Sequence, residues 1–502
     1  MKNDGYLLGI DIGSSSVKAS LVDTSSGQSV SSAQSPAEEM VMIAVNPGWA
    51  EQDPELWWEH TKRSVKNCIQ KSGIKPDAVL AIGIAYQMHG LVIVDKNQNP
   101  LRPSIIWCDS RAVETGERAF QQLGVEYCLS HFLNSPGNFT ASKIKWVKDH
   151  EPGLYEKIDK AMLPGDYVAM KLTGEIRTTD TGLSEGIFWD YREKGISQKL
   201  LDHFGVDRAL LADIVPVFSI QGELRKEAAQ ELGLKNGTKI SYRSGDQPNN
   251  AFSLNVLNPG ETAATAGTSG VIYSVTDKNV SDRQSRVNTF VHVNNSEDQI
   301  RNGVLLCVNG TGIQNSWLRK MFKGEGAGYD YDKVNSIASR APIGSQGVVV
   351  LPFGNGAERI LCNKEIQSSI HGLNFNLHDQ SHLFRAAQEG IVFALKYGFE
   401  ILQEMGLKTK VIRAGNANMF LSPVFREAFV NTIGARLELY DTDGAKGAAL
   451  GAGVGAGIYS SFKEAFRGLE RIGDEEVDVT KVDSYGQAYH LWKKTLMDTL
   501  KS

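Results

Sequence analysis

Asp11 interrupts an apolar run in LLGIDIGSSSVKASLVD (7–23), just ahead of Gly13 and the serines Ser14, Ser15 and Ser16. The flanking segments are strand-like, so the acid, the glycine and the hydroxyls fall at the tip of a β-hairpin. Such a tip has two readings. Gly and Ser are ordinary turn residues, and Asp bonds its own backbone. The same composition also suits a phosphate cradle, in which backbone N–H groups converge on an anion and Ser hydroxyls add donors. Asp11 would then stand where a hydrated Mg²⁺ bridges the phosphates, since that ion favours one or two carboxylates plus water.

An internal repeat favours the cradle. DIGSSSV at 11–17 has a counterpart in TAGTSGV at 265–271. Each follows an apolar segment and precedes a strand-like one, Lys18 to Val22 and Ile272 to Val275. RSGDQPNN at 243–250 lies just before the second copy and reads as the junction of two related halves. Two phosphate-gripping hairpins facing each other across a cleft, with a nucleotide between them, is the arrangement this implies. A P-loop, GxxxxGK[ST], is absent. GAGVGAG at 451–457 is only superficially like a dinucleotide fingerprint, which needs a strand leading directly into it and an acidic residue about 20 positions on. Its small residues read instead as a helix lying close to a neighbour.

The elements that must position these turns alternate between strand and helix, the pattern of an α/β protein. After the hairpin, a third strand is expected near Met40 to Val45. WAEQDPELWWEHTKRSVKNCIQKSG (49–73) reads as a loop entering a helix, with Asp53 as N-cap, Pro54 at the first position and Gly73 closing it. VLAIGIAY and LVIVD are buried strands, PSIIWCDSR is a strand ending in polar residues, and helices dominate from about Arg111 to Leu172. The second half alternates again: GVVVLPF, KVIRAG and RLELYD as strands, and HLFRAAQEGIVFALKYGFEILQEMG, SPVFREAFVNTIG and GAKGAALGAGVGAGI as helices. Trp57 and Trp58 are read as packing.

With 502 residues, two domains are the default expectation. A net charge of -5 argues against a nucleic-acid partner, which requires a basic face. The five cysteines are scattered and never spaced CxxC, which reads as a reduced, cytoplasmic protein without structural zinc. No signal peptide is evident, and no stretch reaches the roughly 18 apolar residues of a membrane span.

Eight segments in order resemble the FGGY family of carbohydrate kinases, in the actin-like ATPase superfamily, and within it most the xylulokinases. They are GIDIGSSSVKA (9–19), WAEQDPELWW (49–58), IGIAYQMHG (82–90), LRPSIIWCDSR (101–111), FTASKIKWV (139–147), LPGDYVAMKLTGE (163–175), GDQPNNA (245–251) and AGTSGV (266–271). The resemblance spans nearly the whole chain, and QMHG, WAEQDP and WCDSR together are its specific part. It implies two ribonuclease-H-like domains flanking a catalytic cleft, one at 1–244 with the sugar site and first phosphate hairpin, one at 245–502 with the second hairpin and the adenosine site. It implies Asp11 near Mg²⁺, with Gly13, Ser14, Ser15 and Lys18 on ATP phosphates, and likewise Gly267, Thr268 and Ser269. Met88 and His89 would line the sugar site, with Gln87, Trp107 and Asp109 nearby. Asp246 would be the catalytic base. Gly312 and the loop carrying Gly415, Asn416 and Asn418 would lie along the adenosine.

Three places depart from the xylulokinase pattern: Cys108 stands where Trp-Asn-Asp has its Asn, Arg243-Ser244-Gly245 precedes Asp246 and Gln247 follows it, and RAGNAN replaces a run of glycines. The expectation is an ATP- and Mg²⁺-dependent kinase phosphorylating D-xylulose on its terminal hydroxyl, working in the cytoplasm on small molecules, with no nucleic acid or membrane partner and room for a homodimer. The alternatives are a kinase for ribulose, fuculose, glycerol or a related polyol, and an actin-like or heat-shock-type ATPase acting on a protein; QMHG and WCDSR speak against the last.

Overall fold

The computed structural model describes residues 5–322 and 329–501. Tyr6–Ile12 and Val17–Asp23 pair antiparallel with Asp11 opposite Lys18, closing the expected first hairpin through a turn in which the Gly13 N–H donates to the Ser16 carbonyl. The helix Pro54–Ser72 starts and stops where its caps require: the Asp53 carboxylate accepts the Glu55 N–H, and Gly73 adopts left-handed φ of 68°. The third strand, however, is Ser29–Ser35, and Met40 to Val45 contributes only an isolated bridge from Ile43 to Glu51. This strand is half exposed, so it needs little apolar content and leaves a weak signal. In PSIIWCDSR only Ser104–Ile105 is extended, paired with Glu51–Gln52. That short ladder ties WAEQDP to WCDSR.

Contacts divide the chain into two units. The first runs to Asn255 and adds Phe290–Asn302 and Thr442–Leu469; the second takes Val256–Thr289, Gly303–Asp441 and Glu470–Ser502. The grouping is therefore not a linear cut at 244/245. Residues 442–469 join the first unit because the helix Gly444–Gly455 lies on its sheet. A Cβ on Gly9 or Gly83 would collide with carbonyls of that helix at Ala445 and Ala448, and its own Gly451 lies against the Tyr242 ring. Small residues on both partners allow this approach, the packing expected of GAKGAALGAGVGAGI.

In the first unit the sheet order is Phe218–Glu223, Lys239–Gly245, Val79–Tyr86, Tyr6–Ile12, Val17–Asp23, Ser29–Ser35. The second to fourth of these are mutually parallel, and Ile12, Tyr86 and Gly245 stand in one row across them. In the second unit Arg471–Glu475, Arg436–Tyr440, Val411–Gly415, Thr262–Ala266, Gly270–Thr276 and Asn302–Val308 follow one another in the same way. Thr262–Ala266 and Gly270–Thr276 form the second hairpin, and Val411–Gly415 runs parallel to both Thr262–Ala266 and Arg436–Tyr440. The sequence repeat is thus a repeat of sheet topology. Among the described residues no helix is long and apolar enough to cross a membrane.

Candidate active site

Three parallel strands deliver chemistry to one edge of the first unit, at their carboxyl ends, where α/β sheets place ligands. Asp11 is the penultimate residue of Tyr6–Ile12; Gln87, Met88 and His89 follow Tyr86; Asp246 follows Gly245 and opens the helix Asp246–Ser253. Row alignment of Ile12, Tyr86 and Gly245 makes these residues neighbours.

Asp246 is an acid at a helix start, where amides favour the carboxylate. Hydrogen bonds from the Gln247 side chain (3.1 Å) and backbone do pull its pKa down. Burial, helped by the nearby Asp11 charge, outweighs them and pushes it up to about 7. Asp11 is raised to about 6 by burial; Lys18 opposes the rise and Asp443 adds to it. Lys18 lies 3.5 Å from Asp443, which caps the Gly444–Gly455 helix by accepting the Lys446 N–H. The Asn249 amide donates to the Gly444 carbonyl at 2.9 Å, linking the two helices that flank this carboxylate pair.

The first turn and the loop after Tyr86 share one network. Gln52 donates to the Ser14 carbonyl (2.6 Å) and accepts from Gln87 (3.2 Å) and from the Trp57 indole (3.1 Å). Trp107 is about one-third exposed, with its indole N–H 3.4 Å from the Ser14 hydroxyl. Ser15 is exposed at the tip of the turn. Met88 is buried against Gly245. The His89 ring packs edge-on to Phe139 and beside Phe290. Lys143 donates to the carbonyls of His89 (2.8 Å) and Ile106 (2.9 Å), and burial lowers its pKa to about 8. Asp109 differs from its neighbours. It has no exposed surface, and its carboxylate is taken up by Arg111 and the Ala50 N–H, so it secures the loop instead of facing a ligand.

The second unit assembles its own group. Gly267, Thr268 and Ser269 form the turn of the second hairpin, with Thr268 exposed. Gly312 opens the helix Gly312–Met321 and donates its N–H to the Gly267 carbonyl at 2.9 Å; a Cβ on Gly312 would collide with that oxygen. Gly415 ends its strand, the Asn416 N–H is held by the Tyr440 carbonyl, and Asn418, at φ of 55°, brings its amide close to Gly267. The predicted adenosine residues and the predicted second phosphate turn are therefore one cluster.

Residues 6–253 match the N-terminal domain of the FGGY family of carbohydrate kinases. The chain is 28% identical over 466 residues to a xylulose kinase of Bacillus subtilis, covering 91% of this chain and 90% of the relative, and 29% identical over 446 residues to a xylulose kinase of Escherichia coli, covering 88% of each. This chain belongs to the FGGY family of carbohydrate kinases. Its fold is shared with a Plasmodium falciparum glycerol kinase solved with ADP, at a TM-score of 0.85 and 22% identity over 99% of this chain and 98% of that one.

Within this FGGY kinase, three residues that sequence motifs did not single out hold the site together: Gln52, Lys143 and Glu185. Gln52 and Lys143 lie in segments that carry the family resemblance, but nothing in their spacing marks them. Only their buried hydrogen bonds do.

Proposed function

We propose that this protein transfers the γ-phosphoryl group of ATP to the terminal hydroxyl of D-xylulose. The observation that carries the proposal is the convergence of Asp11, Gln87 to His89 and Asp246 at the carboxyl ends of three parallel strands, with the Asp246 pKa held near 7. A carboxylate so poised is a competent general base near neutral pH. Phosphoryl transfer passes through a loose transition state, so positioning and charge neutralisation dominate, and the hydroxyl proton needs an acceptor only as the new bond forms.

In this reading Asp246 takes that proton, and Gln87, Met88, His89 and Trp107 orient the sugar. Gly13 shapes the first turn, and the backbone N–H groups and hydroxyls of Ser14, Ser15, Gly267, Thr268 and Ser269 hold phosphate oxygens, with Lys18 adding positive charge. Gly312, Gly415, Asn416 and Asn418 shape the adenosine site. Asp11 suits a Mg²⁺ ion: its charge raises the pKa of Asp246 and Asp443 raises its own, a crowding of carboxylates that a divalent cation relieves. Among the described residues no group of three or more His, Cys, Asp or Glu is arranged to hold a metal. Mg²⁺ does not require one, because it keeps waters and takes substrate phosphates with one or two carboxylates. When bound, the ion neutralises phosphate charge as the bond to the leaving group breaks.

D-xylulose is favoured because both curated relatives above are xylulose kinases. Cys108, exposed beside Trp107, favours a second reading, a kinase for ribulose, fuculose or a polyol such as glycerol, because it removes a hydrogen-bonding side chain from that loop. ADP release measured across pentuloses, hexuloses and polyols separates the two. D-xylulose should give the highest kcat/KM. Faster turnover of another acceptor moves the assignment to the second reading, and no release with any acceptor overturns both.

A further inference from the structure

Glu185 is a carboxylic acid with 1% exposure, at the end of the helix Asp180–Glu185, and it meets His89 twice. Its Oε2 accepts the His89 backbone N–H at 3.1 Å. Its own backbone carbonyl lies 3.0 Å from His89 Nδ1, whereas Oε2 is 3.6 Å from that nitrogen, beyond hydrogen-bond range. A carbonyl oxygen only accepts, so the contact puts a proton on Nδ1. His89 also has φ of 62°, a left-handed conformation that a non-glycine residue keeps only when its surroundings impose it. Both carboxyl oxygens also lie against Gly245, where a Cβ would sit 3.2 Å from Oε1 and 3.3 Å from Oε2.

We propose that Glu185 is the positioning residue that presents His89 to the sugar. Its carboxyl pins the strained His89 backbone, and its carbonyl takes the Nδ1 proton, so the ring is held in one orientation toward the sugar. The inference rests on the sugar-kinase reading above. Burial and the Asp246 and Asp166 carboxylates push the Glu185 pKa far up, against the Tyr86 hydroxyl and the His89 N–H.

The test compares Glu185→Gln with Glu185→Ala. The Gln amide oxygen still accepts the His89 N–H, and the backbone carbonyl is unchanged in both. Glu185→Ala should raise the sugar KM by about tenfold or more, the effect of losing one buried hydrogen bond. Its ATP KM should stay within about twofold of the parent, and Glu185→Gln should restore the sugar KM to within about threefold. Equal sugar KM in all three proteins, or a parallel rise in both KM values, overturns the proposal. Should Glu185→Ala not fold, the ring tautomer decides. Two-bond ¹⁵N–¹H correlation on histidine-labelled parent protein, with His89 assigned by its loss in His89→Gln, should show Nδ1 protonated; a ring whose only proton is on Nε2 overturns the proposal. If the parent releases no ADP with any sugar, it is the sugar-kinase reading that fails, and that outcome is separate from the tautomer, which is read without turnover.

Discussion

Gly444 leaves the space that the Asp11 carboxylate fills: a Cβ on Gly444 would overlap Asp11 Oδ2 and sit 2.9 Å from its Cγ. The helix that Gly444 opens is fixed in turn by the Asp443 cap and by Asn249, which belongs to the helix that Asp246 begins. One glycine thus sets the position of the first carboxylate relative to the helix that carries the second.

Gly444→Ala should therefore impair turnover without touching a reacting atom. The added methyl must displace Asp11 or shift the helix, and overpacking of this kind costs about 1–3 kcal/mol. We expect a lower Tm, a fall in kcat and a higher Mg²⁺ concentration for half-maximal activity. Unchanged Mg²⁺ dependence would mean that Asp11 does not act through the ion.

Asp246→Asn keeps the shape and the Gln247 contact but removes the proton acceptor. Loss of a general base lowers kcat by about 10²–10⁴-fold. Sugar and ATP KM values should stay near parental, and raising Mg²⁺ should not rescue the variant, in contrast to Asp11→Asn. A folded Asp246→Asn enzyme with near-parental kcat refutes the assignment.

The same substitution should stabilise the protein at high pH. A carboxyl whose folded pKa, about 7, exceeds its ordinary 3.8 binds its proton more tightly when folded. The folded state therefore loses stability as pH rises from about 4 to about 7, and the loss is complete above that window. Three pKa units set a ceiling of about 4 kcal/mol, reduced by the part of Asp246 that water reaches. Asp246→Asn should accordingly melt higher than the parent at pH 8, and the difference should close by about pH 4. Equal melting temperatures at both pH values would show that burial does not strain this carboxylate.

Much of this arrangement was legible in the sequence, where local chemistry determines local structure. Asp53, Pro54 and Gly73 bound a helix because capping and left-handed φ are properties of single residues. Both hairpins follow from apolar runs around small-residue turns. The strand Ser29–Ser35 was missed because one exposed face asks for no hydrophobic pattern. The return of 442–469 to the first unit was missed for another reason. A helix of Gly and Ala shows that something approaches closely but not which sheet it is, and only the glycines at 9 and 83 on the facing strands identify the partner. Gln52, Lys143 and Glu185 are single polar residues whose burial exists only once strands distant in sequence are adjacent.

Thr268→Val tests the second turn. The hydroxyl is exposed at the tip of the hairpin, so its loss leaves no buried group unpaired. ATP KM should rise several-fold, about 1 kcal/mol for a hydrogen bond to a charged phosphate, while sugar binding by calorimetry stays unchanged. Parental ATP affinity and kinetics would remove Thr268 from the phosphate site.

Gln52 allows the two halves of its network to be tested separately. Its amide donates to Ser14, in the turn of the first hairpin, while its oxygen accepts from Gln87, in the loop after Tyr86 proposed to face the sugar, and from Trp57. Gln52→Leu abandons all three partners in a buried setting, where each unpaired group costs about 1–3 kcal/mol. Both the ATP and the sugar KM should rise, with a lower Tm. Gln52→Glu keeps an acceptor for Gln87 and Trp57 but sets a carboxylate oxygen against the Ser14 carbonyl, which cannot donate. Here the ATP KM should rise while the sugar KM stays within about threefold of the parent. If Gln52→Glu instead raises the sugar KM and spares ATP, the turn and the loop are not coupled through this side chain in the way its hydrogen bonds require.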